Sequence, residues 1–104
     1  MLAATAGKRS PNFPHVPTVA ESGFPGYEVV LWAGVLAPAG TPREIVNRLH
    51  GELTKILALA DVRESLARQG ADLDLKSPVE FGAYIAAELR KWAKVVKDSG
   101  VKLE

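Results

Sequence analysis

The run Val29-Val30-Leu31-Trp32-Ala33-Gly34-Val35-Leu36 is apolar at both phases of a two-residue period. A strand of this kind has no face to give to water and belongs inside a sheet covered on both sides, as in parallel or mixed α/β sheets. The pattern predicts a strand over 27–36, and such a strand demands neighbours that the rest of the chain supplies sparingly. Gly34, beside Trp32 and Ala33, marks a bulge or the close approach of another backbone or a ligand.

After a Pro/Gly corner at Ala37-Pro38-Ala39-Gly40, the segment Thr41-Pro42-Arg43-Glu44 has the form of a helix start: a capping Thr, Pro at the first helical position and Glu three residues past the cap. Ile45, Val46, Leu49, Leu53, Ile56 and Leu57 would pack on a sheet, with Arg43, Arg48, Glu52 and Lys55 in water. Asp61-Val62-Arg63-Glu64 repeats the capping spacing and opens a short helix over 62–69, stopped by Gly70. Ala71-Asp72-Leu73-Asp74-Leu75 alternates apolar and acidic, which predicts a half-exposed edge strand. Ser77-Pro78-Val79-Glu80 is a third cap, and its helix carries Phe81, Ile85, Leu89, Trp92, Val95 and Val96 on one face and ends before Gly100. Arg90, Lys91, Lys94 and Lys97 gather in its second half, where positive charge opposes the carbonyl end of the helix dipole.

Upstream, Leu2-Ala3-Ala4-Thr5-Ala6 fits a short buried strand and fits a helix nearly as well. Pro11, Pro14 and Pro17 forbid regular structure over 10–17, predicting an extended surface connection with Phe13 and Val16 turned inward. Thr18-Val19-Ala20-Glu21 has capping-box spacing for a helix that Gly23 and Pro25 end almost at once. The order β, loop, short helix, β, α, α, β, α belongs to the α/β class. Two or three short strands make a poor independent sheet, which usually has about 4 to 6.

A chain of 104 residues is one domain at most and buries about two-thirds of its unfolded surface. Its formal charge of +1 gives no electrostatic case for nucleic acid. The absence of cysteine removes disulfides, thiolate metal sites and thiol nucleophiles together. No apolar run approaches the ~20 residues of a spanning helix. Lys8 and Arg9 follow a very short apolar run instead of preceding a long one, so any export signal is expected outside this chain.

Chemistry-bearing groups are scattered. His15 and His50 lie in different elements without carboxylates at ligand spacing, so no zinc site is expected. Asp72 and Asp74 point to one outer face of the predicted edge strand, where charge discourages strand addition. No serine has a Gly-x-Ser-x-Gly context, and neither glycine cluster matches a phosphate-binding fingerprint. The helix start at Thr41 has amides that can hold an anion, but Thr41 and Glu44 compete for them. Trp32 has two readings: core packing, or a wall of a ligand cleft at a strand end.

Lys8-Arg9-Ser10-Pro11, Val16-Pro17-Thr18-Val19-Ala20-Glu21-Ser22-Gly23, Gly26-Tyr27-Glu28, Trp32, Ala37-Pro38-Ala39-Gly40-Thr41-Pro42 and Trp92-Ala93-Lys94-Val95-Val96-Lys97-Asp98-Ser99-Gly100-Val101 together resemble the C-terminal third of tripartite tricarboxylate transporter substrate-binding proteins, the Bug-type, TctC-like solute receptors. The resemblance covers nearly the whole chain in order. His15 departs from it, since the family pattern usually has Asp before Val-Pro-Thr.

The resemblance implies a partial lobe of a two-lobed, type II periplasmic-binding-protein-like α/β fold, with residues 1–104 as a single fragment of few strands flanked by helices. It implies a periplasmic receptor that closes over a small carboxylate solute and delivers it to a membrane permease, with no catalysis and no cofactor. Most ligand contacts of such receptors would lie outside this chain, leaving Trp32 as the one candidate cleft residue. A fragment of this kind is expected to expose sheet edge and apolar helix faces and to form a homo-oligomer through them. The alternative is an autonomous small α/β module that binds a protein partner through those faces.

Overall fold

The computed structural model describes residues 1–102. Its regular elements are α1 (Arg43–Leu57), α2 (Ala60–Arg68) and α3 (Pro78–Ser99). Among the described residues no ladder is long enough to be a strand. A single parallel bridge joins Ala4 to Thr18, so the strands expected over 2–6, 27–36 and 71–75 are absent as regular elements.

What remains of a sheet is a three-segment seed. Ala4 donates its N–H to the Pro17 carbonyl and accepts from Val19, both at 2.8 Å, while Val29 donates to the Thr5 carbonyl at 2.8 Å. Residues 4–5 thus lie between 17–19 and 29. Beyond Val29, the backbone groups of 30–37 make no hydrogen bond among the described residues. A strand is defined by its neighbours, and this apolar run has none to pair with.

The helices follow their sequence signals with corrections at two caps. At α3, Ser77 accepts from the Glu80 N–H at 3.1 Å and Pro78 opens the first turn, as the spacing predicts. Its end at Gly100 uses a left-handed φ of 68°, which glycine adopts without steric cost. The box expected at α1 does not form, because the Thr41 hydroxyl turns back to donate to the Pro38 carbonyl at 2.8 Å and Pro42 is the cap residue. Nor does Asp61 cap α2: the helix starts at Ala60 after Leu59, which leaves Asp61 inside the first turn. Gly70 does end it, with φ 77° and the Ala71 N–H reaching back to the Leu66 carbonyl at 3.0 Å.

The capping box at Thr18 forms without a helix. The Glu21 N–H donates to the Thr18 hydroxyl at 3.1 Å, and the Thr18 N–H donates to the Glu21 carboxylate at 2.8 Å. Turns occupy 19–23 in place of the predicted short helix, since Gly23 and Pro25 leave no room for propagation.

The interior is correspondingly small. Among the described residues Val16 and Thr18 are the buried ones, both beside the seed, and no helix has a buried residue. Val16 is inward as expected, whereas Phe13 is exposed. The chain exposes 8719 Å², against about 5,700 Å² for a compact monomer of 11.1 kDa. Its radius of gyration is 16.7 Å, where a compact domain of this length gives about 13 Å. The apolar face of α1 therefore meets no sheet, and Ile45, Leu49 and Ile56 stay half exposed.

Candidate functional site

Trp32 is positioned by α3. Its ring meets Phe81 edge-on, with centroids 5.7 Å apart and planes at 87°, and Tyr84 at 5.5 Å and 79°. Such T-shaped contacts set the positive ring edge against a neighbour's negative face. Two residues on, Gly34 lies so close to Phe81 that a Cβ there would overlap the ring. The close approach read from Gly34 is thus made by a side chain. Period-two alternation turns Trp32 and Gly34 toward α3 and leaves Leu31 fully exposed.

Next to this cluster lies an open apolar groove of about 780 Å³ between 33–38, α1 and α3, lined by Val35, Leu49, Leu53, Phe81 and Ile85 with His50 at its side. His50 fixes the spacing of its walls: Nε2 lies 3.0 Å from the Lys76 carbonyl, and because a carbonyl only accepts, the ring donates from Nε2. Lys76 pairs with Asp74 at 2.7 Å and stands 5.0 Å from the Tyr84 ring centroid. The hydrogen bond to Asp74 raises the Lys76 pKa. Burial, followed by the charges of Glu88 and Glu28, raises that of Tyr84.

Further along the same face of α3, Lys91 pairs with Glu88 at 2.8 Å and donates to the Glu28 carbonyl at 3.0 Å, while the Trp92 indole N–H donates to Glu88 at 2.9 Å. The Lys91 hydrogen bond lowers the Glu88 pKa against the opposing effect of burial. Lys94 pairs with Asp98. Two of the four cations in this half of α3 are thus committed to ion pairs.

The proline-rich connection is a second polar constellation. The Arg9 guanidinium donates to Glu21 at 3.1 Å and to the Pro14 carbonyl at 3.1 Å. That hydrogen bond, together with the Thr18 N–H, holds the Glu21 carboxyl down at about 2 and raises the Arg9 pKa. Asp72 accepts from the Ser10 hydroxyl and the Asn12 amide, both at 3.0 Å. It is a structural acceptor, while Asp74 serves Lys76, so the two carboxylates do not act as a pair.

His15 and His50 do not converge, and among the described residues no group of three His, Cys, Asp or Glu is placed to hold a metal ion. No helix of the described residues is long and apolar enough to cross a membrane. Sequence reasoning missed the groove and the Asp72 clamp. The groove has a signal in the apolar faces of α1 and α3; the clamp, which spans about 60 residues, has none.

These elements recur in known proteins. The profile of the family described as "Tripartite tricarboxylate transporter family receptor" matches residues 1–101. The chain is 41% identical over 96 residues to the UPF0065 protein of the tcbD-tcbE intergenic region of Pseudomonas sp. (strain P51), covering 91% of this chain and 29% of that protein. It is 38% identical over 103 residues to protein BugT of Bordetella pertussis, covering 99% and 32% respectively. Among solved structures it is similar to R. palustris Rpa4515 with adipate, at TM-score 0.74 and 40% identity over 95% of this chain and 33% of that one. The periplasmic binding protein BugD matches at TM-score 0.76 and 35% identity, over 98% and 35%. The chain thus spans about a third of the length of these relatives, and it belongs to the tripartite tricarboxylate transporter receptor family, whose members bind solutes and are not enzymes.

Proposed function

We propose that this chain is the C-terminal portion of a periplasmic receptor for a small carboxylate solute, which hands its cargo to a membrane permease. The observation that carries the reading is the likeness to Rpa4515, a structure that contains adipate, over 95% of this chain. In this reading residues 1–104 contribute part of one α/β lobe. The three-segment seed around Ala4 is the start of that lobe's sheet, and α1 and α3 are its outer cover. Trp32 stands on the strand side of the lobe as a wall of the solute cleft, held at its angle by Phe81 and Tyr84. The autonomous-module alternative gives no account of a family match over residues 1–101.

Isothermal calorimetry with adipate and other dicarboxylates tests this on two proteins: the 104-residue chain, and a fusion in which it replaces the matching third of BugD. Saturable binding by the fusion and none by the chain alone is the expected result. A fusion that folds and binds no carboxylate overturns it.

A further inference from the structure

The peptide group between Glu28 and Val29 is held from both sides. Its N–H, on Val29, donates to the Thr5 carbonyl at 2.8 Å, and its C=O, on Glu28, accepts from the Lys91 ammonium at 3.0 Å. The first bond ties the apolar run to the seed and the second ties it to α3. Among the described residues the Lys91 bond is the one hydrogen bond between α3 and residues 1–37. Lys91 is itself bracketed, since it pairs at 2.8 Å with Glu88, whose side chain is only 14% exposed and is fixed by the Trp92 indole N–H at 2.9 Å. Its ammonium stands 5.4 Å from the Trp92 ring centroid. Phe81, Tyr84, Glu88 and Lys91 recur at spacings of three and four, which puts them on one face of α3. The run meets that face in reverse order, with Glu28 at Lys91, Trp32 at Tyr84 and Phe81, and Gly34 at Phe81.

We propose that Lys91 is a positioning residue, which decides through the Glu28 carbonyl that Trp32 faces α3. A single hydrogen bond is a pivot, so the Thr5 bond alone leaves the 28–29 peptide free to turn about it. A second directional bond at the opposite end of the same peptide fixes its plane. Side chains leave an extended backbone alternately to either side, and the plane at 28–29 therefore sets which side takes Trp32 and Gly34. Over 30–37 no backbone hydrogen bond repeats the constraint among the described residues. Packing completes the placement without selecting it, because apolar attraction has no direction and Leu31 would also bury surface against Phe81. That Lys91 thereby sets a wall of the solute cleft rests on the receptor reading; the facing of the indole within this chain does not.

Two-dimensional NMR of the 104-residue chain tests the placement. Nuclear Overhauser contacts from the Trp32 indole to the Phe81 and Tyr84 rings are expected in the unchanged chain, to be lost in Lys91→Met, and to return in Lys91→Arg, whose guanidinium keeps the charge and the donor. Lys94→Met, at a residue paired with Asp98, is expected to keep them. In every variant the slow exchange of the Ala4 amide and the helical circular dichroism are expected to stay. Contacts that survive in Lys91→Met overturn the proposal, as does their loss together with free exchange at Ala4, since Lys91 would then hold the fold as a whole. Calorimetry with adipate on the BugD fusion follows the consequence for the solute. Lys91→Met is expected to weaken binding about tenfold, the scale of one hydrogen bond to a charged group, and Lys91→Arg to restore it. A fusion that binds equally well with Lys91→Met overturns the link from Lys91 to the solute. A fusion with Lys91 in place that binds no adipate overturns the receptor reading instead, and the NMR contacts alone then decide the placement.

Discussion

Gly34 sits against the ring of Phe81 so closely that there is no room for a side chain between them. Since Gly34 is not among the positive-φ glycines, the constraint is steric. Gly34→Ala must push the 33–38 segment off α3 or turn the Phe81 ring, and because Gly34 is exposed and Phe81 only partly covered the cost falls at the low end of core overpacking, about 1 kcal/mol. Chemical denaturation is expected to register that loss, and Phe81→Leu in the Gly34→Ala background to restore part of it. Additive losses in the double variant would show that the two residues do not bear on each other.

Thr41 and Ser77 stand in the same sequence context, a hydroxyl residue followed by proline, with Glu three residues on. Only Ser77 caps its helix. Ser77→Ala is therefore expected to cost about 1 kcal/mol, the usual value of an N-cap. Thr41→Ala removes one exposed bond to the Pro38 carbonyl, at the lower end of the 0.5 to 1.5 kcal/mol range of a neutral hydrogen bond, roughly 0.5 kcal/mol. Thermal melts of the two variants followed at 222 nm, the standard helix band, give the ranking; equal losses would place a working cap at Thr41.

What could be read from the residues alone divides along this line between local and distant causes. The extent of α3, its Ser77 cap, its stop at Gly100 and the Thr18–Glu21 box all depend on groups within four residues of each other, and all form. The strand over 27–36 depends on partners, and apolar composition reports only that cover is wanted, not that this chain provides it. The same limit explains the candidate site. Trp32 was identifiable as an unusual indole in an apolar run, but its partners Phe81 and Tyr84 lie about 50 residues away and no periodicity encodes them. Asp72, read as solvated charge, is instead the acceptor for Ser10 and Asn12.

His50 joins α1 to the segment entering α3 through the Lys76 carbonyl at 3.0 Å. His50→Ala removes the donor from a half-buried acceptor, with an expected loss of about 1 kcal/mol. Because this bond also sets the width of the groove, faster amide exchange at 76–82 is expected, with exchange at 4–19 unchanged. Uniform acceleration across the chain would instead mark a global loss of stability.

Acid is expected to act first on the connection between residues 9 and 22. Glu21 titrates at about 2 in the folded chain against an ordinary 4.5, because its carboxylate accepts from Arg9 and from the Thr18 N–H. A carboxyl with a depressed folded value binds protons more readily when unfolded, so its contribution is complete above about 4.5 and declines as pH falls toward about 2. Amide signals of Thr18 and Glu21 in two-dimensional NMR are thus expected to shift through that window before those of α3. Glu21→Gln retains an acceptor for the Thr18 N–H but loses the charge that Arg9 pairs with, and should abolish the pH dependence while preserving the turn. Persistence of the same acid transition in that variant would assign it to another carboxylate, with Asp72, the anchor of Ser10 and Asn12, the next to replace.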